Sequence, residues 1–315
     1  MLAVGIDIGG TSIKGAVVNE LGEASEMFSL PVIKSDGQER IIEKTAETLK
    51  EYLDSHHFDE PISGIGIGIP GSIEAKRGVC RVSNNLGWKE LEVVKIMKRY
   101  FDMPIKITND ANAAALGEAT FGSGRKYDNV IMLTLGTGVG GGIIIDKKIY
   151  EGSDGTGAEL GHMIIDKNGI QCTCGRRGCL EQYASATALT RQAMEAMEKN
   201  PDSLMHKFAK EEGKVTAKPP FSAAQAGDKA GLEVVNNYVE YLGIGICNIC
   251  NIFRPDCCVL SGGVSKQGDY LIDKLTAYCE KYNFGFPYSK PCIIKVAELG
   301  YMAGIIGAAT LILRG

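Results

Sequence analysis

At 315 residues the chain is long for a single hydrophobic core and fits two domains. Its 44% hydrophobic and 23% charged residues describe an ordinary soluble globular protein, and a net charge of -4 gives no global case for nucleic acid or an acidic membrane as partner. Ten cysteines in a chain of this length, with no secretory-signal pattern ahead of the first strand, argue against a disulfide scaffold and for the cytoplasm.

Residues 2–8 and 13–18 read as the strands of a hairpin turning at Gly9-Gly10-Thr11, and Glu20-Leu21-Gly22-Glu23 makes the next turn. Arg40 to Leu53 places Ile41, Ile42, Ala46, Leu49 and Leu53 on one helical face. Ile62 to Ile69 alternates glycine with isoleucine, a strand that needs close backbone approach, and Pro70-Gly71 stops it. A helix is expected over Glu90 to Tyr100 and a short strand over Ile105 to Thr108, after which Asn109-Asp110 opens an alanine-rich helix, Ala111 to Thr120. Gly122-Ser123-Gly124-Arg125 suits a hinge before a second glycine hairpin, Leu135 to Gly142. Helices follow over Ser185 to Lys199 and Leu232 to Phe253, with the polar, lysine-rich Lys207 to Pro220 between them as surface loop and short helix. Pro255-Asp256 breaks the chain before a strand, Cys257 to Leu260, ending in Ser261-Gly262-Gly263. Tyr301 to Leu313 is apolar but short of the roughly 20 residues that span a bilayer. It reads as a buried helix laying small residues against a sheet. Strands alternate with helices throughout, which makes an α/β chain, and the repeated hairpin suggests two related halves with a cleft between them.

The glycine turns carry the first chemical signal. Gly136-x-Gly138-x-x-Gly141 and Gly66-x-Gly68-x-x-Gly71 match the dinucleotide fingerprint in letters only. That fingerprint requires a helix directly after the turn, whereas Ile143-Ile144-Ile145 and Pro70-Gly71 follow here. No G-x-x-x-x-G-K-[ST] string occurs, so a P-loop is excluded. What survives is a phosphate-binding β-hairpin used twice, with glycine amides and a threonine hydroxyl facing one polyphosphate. Tight turns alone would explain either hairpin. Asp7 favours the functional reading, because an acid within an apolar strand needs a reason, and holding Mg²⁺ through water supplies one.

Cys172, Cys174 and Cys179 sit in a polar glycine-rich loop shortly after His162, a Cys₃His set for a tetrahedral structural zinc. Glu159 and Glu181 flank these ligands, so the metal would fix both carboxylates beside an imidazole, an arrangement suited to a polyhydroxyl ligand. Cys247, Cys250, Cys257 and Cys258 lie in apolar stretches and read as small hydrophobes. Asp110, between a strand and a helix, is placed where it could accept a hydroxyl proton, although local sequence alone favours a plain helix cap by Asn109 or Asp110.

Asp7-Ile8-Gly9-Gly10-Thr11, Pro70-Gly71, Asn109-Asp110, Glu159-x-Gly161-His162 and Cys172-x-Cys174-Gly175-x-x-Gly178-Cys179-x-Glu181 together resemble the ROK family of sugar kinases and repressors, nearly end to end. Within that family the likeness is greatest to bacterial ATP-dependent glucokinases. The resemblance implies an actin-like ATPase (ribonuclease H-like) fold with two α/β lobes around a cleft. The small lobe would be residues 1–120 completed by 300–315, and the large lobe 121–299 with the zinc loop. Asp110 then matches the catalytic aspartate; Gly71, Asn85, Asn109, Glu159, His162 and Glu181 match the sugar side. Asn84 and Asn85 leave that register open by one residue. Asp7, Gly9, Gly10, Thr11, Lys14, Gly136, Thr137, Gly138, Gly262 and Gly263 match the ATP side. His162, Cys172, Cys174 and Cys179 match the zinc ligands, with Thr173 replacing a common glycine between two of them.

The implied activity is ATP- and Mg²⁺-dependent phosphorylation of a hexose, glucose first. Fructose, allose, N-acetylglucosamine or N-acetylmannosamine are rival substrates, and polyphosphate a rival donor. A non-catalytic sugar sensor and a zinc-based interaction module are the readings from other classes. The family's repressors carry an N-terminal helix-turn-helix, for which this sequence shows no segment. A homodimer or homotetramer is expected.

Overall fold

A computed structural model describes residues 1–314, which form two compact units. The first contains Met1–Asp128, Gly142–Ala158 and the chain from Glu298 onward; the second contains Asn129–Gly141 and Glu159–Ala297.

The first unit begins with β1 (Leu2–Ile8), β2 (Ser12–Asn19), β3 (Phe28–Pro31), α1 (Gln38–Ser55) and β4 (Ile62–Ile69). β5 (Ser72–Glu74), β6 (Val79–Ser83), β7 (Trp88–Leu91), α2 (Val93–Met97), β8 (Ile105–Asn109) and α3 (Asp110–Thr120) follow. The chain then runs through β9 (Val130–Leu135), β10 (Val139–Ile145) and β11 (Lys148–Ile149), and β10 carries it from the second unit back into the first. The second unit adds α4 (Glu181–Ala184), α5 (Ala186–Lys199), α6 (Leu204–Glu211), α7 (Pro219–Gln225), α8 (Lys229–Phe253), β12 (Cys257–Ser261), α9 (Asp269–Tyr282) and β13 (Ile293–Val296). α10 (Ala303–Leu313) returns to the first.

In the first unit the sheet order is β3-β2-β1-β4-β8, with β1, β4 and β8 parallel and β1 to β3 antiparallel. The period-two alternation of β4 sorts its faces. Ile65, Ile67 and Ile69 join Ile6, Ile42, Leu49 and Met97 in the core. The alternate glycines admit α10: a Cβ at Gly66 would overlap the Ala308 carbonyl oxygen. The small residues of the C-terminal run therefore bury against a sheet, as their pattern suggested. Among the described residues no helix is long and apolar enough to cross a membrane.

The helix expected over Glu90 to Tyr100 is reduced to α2. Residues 88–91 pair with β6 instead, burying Trp88 and Leu91, and Glu90 adopts a left-handed φ of 44°. The start of the expected helix is thus taken by the three-stranded sheet β5-β6-β7, because pairing with a partner strand outweighs local preference.

In the second unit β9, β12 and β13 pair in parallel, with β12 between the other two. Cys247 and Cys250 of α8 and Cys257 and Cys258 of β12 are buried and free, as small hydrophobes should be. The lysine-rich segment forms α6, a loop and the start of α7.

Candidate active site

β8 ends in Asn109, which caps α3. Its Oδ1 accepts from the backbone N–H of Ala111 (2.8 Å) and of Asn112 (3.3 Å), and its Nδ2 donates to the Gly71 carbonyl at 3.0 Å. The capping role weighed for this position is thus filled by Asn109, and Gly71 is joined to it through backbone oxygen. Asp110 follows as the first residue of α3, its Oδ1 accepting from the Ala111 N–H at 2.9 Å.

Asp7 lies near the end of β1, two strands from β8 and directly across the hairpin from Lys14. Burial, then the negative charge of Asp110, pushes its carboxyl up to about 6; Lys14 offsets this only in part. One carboxylate near the end of β1 and one just past the end of β8 are hard oxygen donors of the kind a divalent cation takes. That donor set fits Mg²⁺.

The turn after β1 is closed by the Gly9 N–H donating to Ser12 O at 2.9 Å, and Thr11 O accepts from Val32 N–H. At Gly10 and Gly136 a Cβ would meet nothing within 4 Å, and neither has a positive φ. Packing and backbone conformation therefore leave their identity unexplained, and a glycine at either position keeps the backbone open to close approach by an anion.

In the second unit, Glu181 opens α4 and its Oε2 accepts from the Val139 N–H at 3.0 Å, in the space a Cβ on Gly138 would need. Ala186 N–H donates to Gly136 O and the Thr187 hydroxyl to Thr137 O, each at 2.8 Å, bracing the glycine turn against α5. A pocket of about 500 Å³ brings Thr137 and Gly263 together with Thr187, Thr190, Thr216 and Lys266. Thr187, Thr190 and Thr216 were not anticipated: the first two belong to an ordinary-looking helix, the third to an insert that reads as surface.

The metal set is assembled in the same unit. His162 Nδ1 lies 3.7 Å from Cys172 Sγ, Cys174 and Cys179 sulfurs are 3.6 Å apart, and all four ligand atoms fall within 4.8 Å of one another. Tetrahedral zinc, with bonds of about 2.3 Å to sulfur and about 2.0 Å to nitrogen, requires separations of about 3.6–3.8 Å. The donors fit zinc. The Cys174 thiol is drawn down to about 6 by the Arg176 backbone N–H and guanidinium, while burial and the neighbouring thiols push Cys179 up to about 12. Sulfurs this close cannot all ionise without a cation.

Glu159 is exposed, its carbonyl accepting from His162 N–H at 3.1 Å. Asn84 and Asn85 are both exposed on the turn between β6 and β7, so geometry does not choose between them.

Residues 3–314 match the ROK family. The glucokinase of Halalkalibacterium halodurans is 38% identical over 312 residues, covering 98% of this chain and 94% of the relative. That of Thermotoga maritima is 36% identical over 313 residues, with 98% and 96% covered. The crystal structure of a ROK family glucokinase from Streptomyces griseus in complex with glucose and AMPPNP matches with a TM-score of 0.81 at 31% identity, over 100% of both chains. The α/β units described above carry the actin-like ATPase (ribonuclease H-like) fold of these proteins. With the match running almost from end to end in sequence and fold, this chain belongs to the ROK family.

Proposed function

We propose that this chain is an ATP-dependent hexose kinase that phosphorylates the 6-hydroxyl of glucose. The observation that carries the reading is the placement of Asp7 near the end of β1 and Asp110 just past the end of β8 in one sheet, near enough for the charge of Asp110 to act on Asp7. One carboxylate there can hold a cation while the other faces a hydroxyl. Asp110 accepts the proton of the sugar 6-hydroxyl as that oxygen forms its bond to the γ-phosphorus, and the bond to the β-phosphate oxygen breaks to release ADP. The amides of Gly9, Gly10, Gly136 and Gly138, with Thr11, Thr137 and Lys14, hold the phosphates. Gly262 and Gly263 contact the adenosine. Asp7 would hold Mg²⁺, which when bound would supply neutralisation of the phosphate charge. Asn85, Asn109, Glu159, His162 and Glu181 bind the sugar hydroxyls, and Gly71 positions Asn109. Zinc on His162, Cys172, Cys174 and Cys179 would fix the loop that presents Glu159 and Glu181.

ATP as donor and ten free thiols suit a reducing, ATP-supplied compartment, the cytoplasm. Assembly into a homodimer or homotetramer is supported by the exposed aromatics Phe284, Phe286 and Tyr288, and size-exclusion chromatography with light scattering would test it.

The decisive experiment is coupled ADP release over glucose, fructose, allose, N-acetylglucosamine and N-acetylmannosamine, repeated with polyphosphate as donor. The expected result is turnover with ATP that is fastest on glucose. Fastest turnover on another sugar would reassign the substrate, and absence of turnover with any sugar would restore the sugar-sensing reading.

A further inference from the structure

The proposed reaction leaves one well-formed cavity of the first unit unused. It is an open pocket of about 400 Å³, within the usual range for small-molecule sites. Its floor is apolar, formed by Ile105 and Ile107 of β8, Leu116 of α3, Ile149 of β11 and Leu311 of α10. Its rim carries Lys76, Lys106, Lys147, Lys148 and Arg314 against a single carboxylate, Glu151.

The polar groups differ in what they have left to give. The Thr310 hydroxyl donates to Ile306 O, and Glu151 accepts from the Thr108 hydroxyl, each at 2.7 Å. Lys106 donates to Leu311 O at 3.0 Å, and Lys147 donates to the carbonyls of Arg125 and Tyr127. The exposed side chains of Lys76 and Lys148 make no hydrogen bond or ion pair among the described residues. A floor whose polar side chains are already engaged rejects a sugar phosphate or a nucleotide, because their hydroxyls would be buried unpaired. Free ammonium groups at the rim select an anionic head. Lysine acts as a point charge without a planar fork, so carboxylate and phosphate heads serve equally.

We propose that this cavity binds a small amphipathic anion, its apolar body on the isoleucine and leucine floor and its carboxylate or phosphate held by Lys76 and Lys148. The site does not depend on the kinase reading, and its test uses no turnover. Binding to the full chain would be measured by calorimetry at low salt with octanoate and phenyl phosphate, which separate the two head groups. Inorganic phosphate supplies the head alone and 1-octanol the body alone. Methyl-labelled isoleucine NMR locates the ligand.

The expected result is saturable binding of octanoate, phenyl phosphate or both, with shifts at Ile105, Ile107 and Ile149. Inorganic phosphate and octanol should bind at least tenfold more weakly, and the Lys76→Glu/Lys148→Glu double variant should lose at least tenfold in affinity. Both lysines are exposed, so that variant should melt as the wild type does. Absence of saturable binding by either anion would overturn the proposal. So would unchanged affinity in the double variant, octanol binding as well as octanoate, or methyl shifts confined to other isoleucines.

Discussion

Asn109 holds the structure with Oδ1 on the first amides of α3 and one Nδ2 hydrogen on the Gly71 carbonyl, which leaves its second Nδ2 hydrogen for a sugar hydroxyl. The cap holds the start of the helix in place and so aims the next residue, Asp110. Replacing Asp110 by Asn keeps the shape and removes the proton acceptor. Turnover should fall by about 10² to 10⁴, the usual contribution of a general base. Glucose binding, measured by calorimetry, should change little, and wild-type turnover in the variant would refute the assignment. Asp7 makes a different prediction, through stability. Its carboxyl is raised from 3.8 to about 6 in the folded protein, so the fold prefers it protonated. That preference is fully present below the unfolded value and is lost as pH rises through about 6. A shift of about two units corresponds to about 3 kcal/mol. Without Mg²⁺, Asp7→Asn should therefore stabilise the protein at pH 8 by up to about 3 kcal/mol, and the gain should shrink as pH falls toward 4. Urea denaturation at pH 8 and pH 5 would check this. An equal gain at both would remove the charge from the explanation.

At the scale of elements, β4 was legible because Gly-Ile alternation admits one interpretation: isoleucines to the core, glycines under a helix. α1 and α8 were legible for a similar reason, as long runs whose buried faces repeat in the sequence, while α3 and α10, buried almost all round, were legible from their alanine-rich and apolar composition. β7 was not, because Trp88 and Leu91 are held by a partner strand that local spacing cannot reveal. The site divides in the same way. The candidate zinc ligands and the glycine turns announce themselves by residue type and spacing, whereas Asp110 stands out only through the surrounding motifs, because its local sequence reads as a helix cap. The bond from Glu181 to the Val139 amide and the threonines lining the Thr137 pocket depend on how distant segments meet. The zinc loop gives the element-scale prediction. Purified protein should contain about one zinc per chain, the capacity of a single tetrahedral set. Cys172→Ser should lose that metal and melt at lower temperature, whereas Cys257→Ser, a core thiol in β12, should retain it. Elemental analysis and thermal melts would check both, and full zinc in Cys172→Ser would remove that sulfur from the set.

At the scale of the whole molecule, the first unit is discontinuous: it is begun at Met1 and finished only from Glu298. Glu118, fully buried on α3, shows how the last segment is fastened. Its carboxylate accepts from Ser123 N–H and hydroxyl and from the N–H groups of Glu298 and Leu299. α10 then supplies Ile305, Ile306 and Ala309 to the cluster with Ala3, Ala16 and Val18, on the sheet face that the glycines of β1 and β4 leave bare. A chain ending at residue 297 would expose that face and leave the Glu118 carboxylate without two of its donors. Each loss costs about 1 to 3 kcal/mol for the unpaired group alone, against a total stability of about 5 to 15 kcal/mol. The truncated chain should therefore fail to form the first unit and be recovered as aggregate. A gentler change tests the same packing in the full chain: a Cβ at Gly307 would overlap the Ala113 carbonyl oxygen, so Gly307→Ala forces α10 away from α3. That overpacking should cost about 1 to 3 kcal/mol in urea denaturation. If Gly307→Ala melts as the wild type and the truncated chain stays soluble with native circular dichroism, α10 is not what completes the first unit.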